Sequence, residues 1–188
     1  MKQSETNLPL EKDLIDVLDS NGLRTGETLP RKEIHELGKW HRAIHFYLFD
    51  NENNILLQKR SQFVDHYPGM LSISLTGHID AGEGSFQALK REIQEELSLN
   101  SEKMDLQFLF SFKREASLSP KYIDKQFNDV YMCKTDFNLK DLKKDELETA
   151  QFILVSLEKF IKMAESNDSE LVPAYSDSLK DVLYFIKK

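Results

Sequence analysis

Apolar and polar residues alternate through LIDVLDSNGLRTGETL, residues 14–29, on either side of Asn21-Gly22. A period of two marks a strand with one buried face, and an Asn-Gly pair accepts the positive φ angles of a tight turn, so this stretch predicts a β-hairpin. A second hairpin is predicted where HRAIHFYLFD and ILLQKR flank the polar NENN. LSISLT reads as a short strand after Pro68-Gly69, and DLQFLFSFK, FNDVYMCKT and TAQFILVSL read as further strands. Between the first two of these, SLSPKYIDKQ reads as a connection and as a candidate mobile loop. LEKFIKMAES and YSDSLKDVLYFIKK predict helices. Strands outnumber helices and come in mixed order, which predicts an α+β fold with a sandwiched mixed sheet; strand–helix alternation is too sparse for a doubly wound one.

One helix stands apart. Taken from Ser85 to Leu97, it sets Phe86, Leu89, Ile93 and Leu97 at i, i+3, i+7 and i+11, a single stripe expected to face the core. Glu92, Glu95 and Glu96 fall at i, i+3 and i+4 on a neighbouring face, where each like-charged pair costs about 0.2–0.5 kcal/mol. Such a cluster is either an ordinary exposed acidic face or a set of oxygen ligands for a hard divalent cation. The residues before it bear on that choice. Gly77 closes a strand, and Gly82 and Gly84 bracket Glu83 in a loop, so strand, glycine loop and acidic helix converge on one place.

Composition narrows the setting. With 40% hydrophobic and 10% aromatic residues the chain carries enough apolar surface to fold. No apolar run reaches the length of a membrane span and Met1–Thr6 is too polar for a secretory signal, so the expectation is a soluble, cytoplasmic protein without a membrane partner. Its one cysteine, Cys133, excludes an internal disulfide and a cysteine-based zinc site. A formal charge of −7 without a basic stripe argues against a nucleic-acid polymer as partner. An acidic chain that handles an anionic small molecule needs a local source of positive charge.

The spacing itself has a likeness. Gly77, five residues, Glu83, seven residues, then Arg91-Glu92-Ile93-Gln94-Glu95-Glu96-Leu97-Ser98-Leu99 resembles the Nudix box, with Ser98 where that family has glycine. The resemblance implies a Nudix-type α/β/α sandwich with an N-terminal β-hairpin arm. It implies a single domain over 1–188: an arm or hairpin at 1–36, a core at 37–160 and a helical segment at 161–188. It also implies metal-dependent hydrolysis of a diphosphate bond, in a nucleoside-diphosphate-linked or similar small molecule, by attack of water on phosphorus. By position, Glu92, Glu95 and Glu96 would bind Mg²⁺ or Mn²⁺, helped by the Gly77 carbonyl, and the cation would provide the positive charge. One of the three, with Glu92 the first choice, would be the general base, and Arg91 would orient the cluster through a salt bridge. Glu83 would either anchor loop to helix or join the metal shell. At Ser98 a left-handed cap costs a non-glycine residue about 1 kcal/mol, and Asn100 is the alternative cap.

Upstream, DVLDSNGLRTGETLPRKEIHELGKWHRAIHFYLFD and LLQKRSQFVDHYPGMLSISLTGHIDAGE are similar to the branch holding type I isopentenyl-diphosphate isomerases and related hydrolases. In those isomerases histidines help bind a metal, and His41, His35 and His78 match them. The isomerases also use a cysteine beside the Gly-His pair, where this chain has Thr76, while QFNDVYMC offers Gln126 and Asp129 and no glutamate. Without that thiol, proton transfer at carbon lacks a principal acid–base group, so hydrolysis is the first expectation and isomerisation the alternative. A sensor that has lost catalysis is a further alternative, disfavoured because every box glutamate is present. His41 reads first as a supporting or structural group and only second as a ligand, and His45 and His66 carry no signal. Arg42, Lys59 and Arg60 are candidates for phosphate oxygens or plain strand-face charges. Glu146 and Glu148, before TAQFILVSL, are candidates for an extra carboxylate or for an acidic surface loop. The arm is also where pairing into a homodimer is expected.

Overall fold

Along HRAIHFYLF, Ile44, Phe46 and Leu48 belong to one buried cluster and Tyr47 and Phe49 to another. This alternation, forced by the strand's period of two, places apolar layers on both faces of the sheet. The computed structural model describes residues 14–173 and 179–186. The start of the expected arm, residues 175–178 of the last helical segment and the final two residues lie outside the described residues.

The strand concerned, β3 (His41–Phe49), runs parallel to β8 (Tyr122–Lys134) and antiparallel to β6 (Leu75–His78). It turns at Asp50, whose carboxylate accepts the amides of Glu52 and Asn54, into β4 (Asn54–Arg60). β4 then pairs with β9 (Thr149–Ser156) and with β5 (Leu71–Ser72), and β7 (Gln107–Ser119) pairs with β8. Among the described residues the result is a mixed seven-stranded sheet. Ala88, Leu89, Ile93 and Leu97 pack on Ile44, Phe46, Leu48 and Leu56 of one face. On the other, Phe160, Met163 and Ala164 of α3 (Leu157–Glu165) and Val182 of α4 (Leu179–Ile186) cover Tyr47, Phe49, Ile55 and Leu57. Each large side chain so buried contributes about 1.5–3 kcal/mol. Helices on both faces of a mixed sheet make this the α+β sandwich expected.

Several local expectations change. LSISLT is two strands: β5 bonds to β4, the chain crosses at Ile73-Ser74, and β6 bonds to β3. Ser74 stands at the crossing, its hydroxyl accepting from Leu48 N (2.8 Å) and donating to the Leu56 carbonyl (2.7 Å). SLSPKYIDKQ is not a loop. It continues β7 and β8 as a long hairpin paired from Gln107↔Met132 to Ser119↔Tyr122, because cross-strand bonding outweighs its polar composition.

β1 (Leu14–Leu18) and β2 (Arg24–Pro30) form the N-terminal hairpin, followed by the short helix α1 (Arg31–Glu36). Its turn is longer than a two-residue Asn-Gly turn: Gly22 takes φ +84°, and the Asp19 carboxylate accepts the amides of Asn21 and Leu23. The hairpin docks on its own chain, through Leu18 N to the Trp40 carbonyl, Ala81 N to the Leu14 carbonyl and Gly82 N to Asp16 Oδ2. It therefore braces the loop that follows β6.

Candidate active site

That loop leads into α2 (Ser85–Glu92), where the Gln87 side chain accepts the Gly84 amide and so satisfies one of the free donors of the helix start. From Ile93 to Leu97 the helix widens into a π-helical turn, ending at Ser98 in the left-handed conformation, φ 55°, ψ 27°. Such widened turns recur at functional sites. Ser98 itself takes the cap; Asn100 instead caps the next turn by accepting the Glu102 amide. The expected stripe is also corrected. Phe86 is 45% exposed, lying over Tyr131 and under Lys90, and Ala88 takes its place in the core beside Leu89, Ile93 and Leu97.

The three glutamates do not share one environment. Glu92 is turned inward beside Gly77, and Glu96 beside Gln58, whereas the Glu95 side chain is 59% exposed. Burial pushes the Glu92 carboxyl up to about 7, with the charges of Glu95 and Glu148 adding to the effect and Arg91 opposing it. Burial likewise pushes Glu96 up to about 8, aided by Glu92 and Glu148 and opposed by the hydrogen bond from Gln58. Glu148, itself exposed, thus shares a field with both, while Glu146 is exposed without such a role.

Arg91 ties the loop to the helix. Its guanidinium donates to both oxygens of Glu83 (3.2 and 2.9 Å), to Glu92 (2.9 Å), to Glu95 (3.3 Å) and to the His78 carbonyl (3.2 Å). Both Glu83 oxygens are thereby engaged, one of them also accepting the Asp80 amide.

A second cluster lies on the opposite face of β6. His35, His41 and His78 bring ring nitrogens within 4.8 Å of one another, and the Nε2 atoms of His35 and His78 are 3.1 Å apart. Burial lowers all three, His35 to about 3 and His41 to about 4, which keeps the imidazoles neutral, the form that binds a metal. Tyr122 stacks on His35 at 4.0 Å, and Asp124, paired with Arg114, stands 3.6 Å from His35 Nδ1. Gln126 meets His41 at 3.3 Å. All three come from the segment expected to be a loop.

The NUDIX domain family matches residues 39–175. The chain belongs to the Nudix family. As a Nudix protein it is similar to Nudix hydrolase 3 of Arabidopsis thaliana, 34% identical over 164 residues, which are 84% of this chain and 21% of the plant protein. The chain thus spans about a fifth of that relative. It is also similar to an isopentenyl-diphosphate delta-isomerase of Serratia proteamaculans, 31% identical over 102 residues, covering 54% of this chain and 55% of that one. In fold it resembles the protein DR0079 of Deinococcus radiodurans, with a TM-score of 0.67 at 18% identity over 85% of this chain and 91% of that one.

For a Nudix protein the first question is whether the residues fit a hard divalent cation. Inward-turned carboxylates whose charged forms repel one another supply oxygen donors only, and an added Cβ at Gly77 would stand 2.7 Å from the Glu92 carboxyl, so the strand is cut away where the carboxylate lies. The donor set fits Mg²⁺ or Mn²⁺. Other expected residues have partners of their own or face solvent. Arg42 is bound to Asp129 at 2.8 Å, Arg60 donates to the His66 carbonyl, and Lys59 is exposed. Thr76 is half-buried opposite His45, and Cys133 is buried on β8, where burial pushes its thiol up to about 11.

Sequence reasoning overlooked Gln58 and Asp124. A signal for the first exists: Gln58 breaks the apolar run Ile55-Leu56-Leu57 and is nonetheless buried. Asp124 had no signal, because its segment was read as a connection.

Proposed function

We propose that this Nudix hydrolase cleaves a pyrophosphate bond in a nucleoside-diphosphate-linked or similar small molecule, with Glu92, Glu95, Glu96 and the Gly77 carbonyl holding Mg²⁺ or Mn²⁺. The observation that carries the reading is the convergence of two inward-turned carboxylates, Glu92 against Gly77 and Glu96 against Gln58, each pushed above the usual carboxylate range. Among the described residues Arg91 is the cation bonded to Glu92, and it is shared with Glu83, Glu95 and the His78 carbonyl. When bound, the cation neutralises the diphosphate and acidifies water at the site.

The protein's own groups do the rest. Arg91 fixes the approach of the loop to the helix. Glu92, turned toward Gly77 and held by Arg91 at 2.9 Å, takes the proton of the attacking water as general base. Glu148 adds a further carboxylate from the loop before β9. Arg42, Lys59 and Arg60 are the groups from which recognition of the substrate is drawn, while His41 and His78 lie on the opposite face of β6 from the carboxylates. The setting proposed is cytoplasmic, with a homodimer formed through the arm.

The test is a panel of nucleotide sugars, dinucleotides, nucleoside triphosphates and thiamine diphosphate with Mg²⁺ or Mn²⁺, scored for phosphorylated products. Turnover of one class, lost by orders of magnitude in Glu92→Gln and Glu96→Gln with the fold retained, supports the reading; turnover retained in both variants overturns it.

The cluster of His35, His41 and His78 favours a second reading, an isopentenyl-diphosphate isomerase with a nitrogen-rich metal site. Thr76 opposes it, since it leaves the reacting carbon without the thiol of that reaction, and so does QFNDVYMC, which offers Gln126 and Asp129 and no glutamate. Conversion of isopentenyl diphosphate to its isomer would decide for it.

A further inference from the structure

β4 buries one polar side chain on the face that packs toward α2. Gln58 is 8% exposed, and both donors of its amide and one lone pair of its oxygen are engaged. Nε2 donates to the Ser74 carbonyl at 2.7 Å and to Glu96 Oε2 at 3.1 Å, while Oε1 accepts from the Thr149 hydroxyl at 2.6 Å. The orientation is determined by chemistry: a main-chain carbonyl only accepts, so the nitrogen must face Ser74, and the hydroxyl then meets the oxygen.

The groups around the amide are themselves fixed. Ser74 spans β3 and β4 through its hydroxyl, and is fully buried. Thr149, 3% exposed, bonds through its amide to the Asp145 carbonyl at 2.7 Å and directly follows Glu148. One side chain therefore joins the strand crossing, the π-helical turn and the base of the Glu148 loop. A lysine or arginine in its place would neutralise Glu96 and compete with a cation. An amide holds one oxygen of the carboxylate by a single hydrogen bond and leaves its charge and its second oxygen for a ligand.

We infer that Gln58 is a positioning residue for the divalent-cation site: its amide holds the Glu96 carboxylate in a ligating orientation and, through Thr149, sets the stance of the Glu148 loop. This rests on the reading of Glu92 and Glu96 as ligands. Groups that orient metal ligands typically carry about 10–100-fold in affinity.

The experiment is a Mn²⁺ titration of the substrate-free protein, read by the electron paramagnetic resonance of free Mn²⁺. Gln58→Met keeps the length and removes both donors and the acceptor; it weakens Mn²⁺ binding about tenfold or more. Thr149→Val, which removes only the hydroxyl that orients the amide, also weakens binding, and Thr149→Ser, which keeps the hydroxyl, restores it. The metal concentration for half-maximal rate rises in parallel for Gln58→Met. Should Gln58→Met fail to fold, the contrast between Val and Ser at position 149 decides. If Gln58→Met and Thr149→Val bind Mn²⁺ as the parent does while Glu96→Gln binds it more weakly, Gln58 is a structural hydrogen-bonding residue only and the inference falls alone. If the parent binds no Mn²⁺, or Glu96→Gln leaves binding unchanged, the reading of the site falls and the inference with it.

Discussion

A methyl group on Gly77 would lie 2.7 Å from both the carboxyl carbon and Oε1 of Glu92. No real side chain tolerates that approach, and the obstacle is not a flexible tip free to swing away, because Arg91 holds the same carboxylate at 2.9 Å. The glycine next to the end of β6 is thus required by the glutamate of α2 and not by its own backbone. Gly77→Ala is expected to displace Glu92, lowering kcat/KM about 100-fold and stability by about 1–3 kcal/mol. Steady-state kinetics and urea unfolding check the two effects separately; an unchanged kcat/KM would remove Glu92 from the proposed chemistry.

Arg91→Lys tests the tie between loop and helix. The planar fork of arginine meets Glu83, Glu92, Glu95 and the His78 carbonyl together, and a lysine ammonium cannot reach that set. Losing charge-assisted hydrogen bonds here is expected to cost about 2 kcal/mol, measured by denaturant unfolding. Turnover falls as well, because Glu92 loses its orienting partner.

The metal-free protein has a pH signature in Glu96. Its carboxyl titrates near 8 in the folded chain against about 4.5 unfolded, so the folded state holds the extra proton between those values. The stability this contributes is complete below the unfolded pKa and is lost as pH rises through about 8. His35, His41 and His45 act in the opposite sense, at lower pH, but they are common to parent and variant and cancel in the difference. With chelator present, Glu96→Gln is therefore expected to match the parent near pH 5 and to melt roughly 5 °C higher near pH 9. Differential scanning calorimetry across that range shows it; a constant difference in melting temperature would contradict it.

Ser98 occupies a left-handed cap, φ 55°, where a side chain is strained. Ser98→Gly relieves that strain and is expected to raise stability by about 1 kcal/mol, with kcat unchanged because the residue ends the helix and touches no carboxylate of the site. Thermal unfolding and kinetics together check this. A manyfold rise in activity would mean that the cap governs the geometry of Glu92 and Glu96.

The strands and the acidic helix were legible because their signals are local. Alternation in HRAIHFYLF, the turn at Asp50, and glutamates spaced by three and four positions depend on neighbours within a few residues. The same reasoning failed wherever a distant partner decided the outcome. SLSPKYIDKQ looks like a connection until Ser119↔Tyr122 and the pairs before it are formed. LSISLT looks like one strand because nothing in it says that two different strands claim its halves. Phe86 fits the helical stripe, and only the packing of α2 on the sheet excludes it from the core.

The sequence alone determined the type of chemistry on offer: which carboxylates exist, that they share a helix, and that a glycine and an arginine stand at set distances along the chain. Tertiary structure decided their inequality. Glu92 and Glu96 turn inward while Glu95 faces solvent, Gly77 is cut away to admit one of them, and Gln58 reaches the other from a strand 38 residues earlier. Burial and electrostatic coupling depend on what the sheet brings within a few ångströms, and separation along the chain carries no record of that distance.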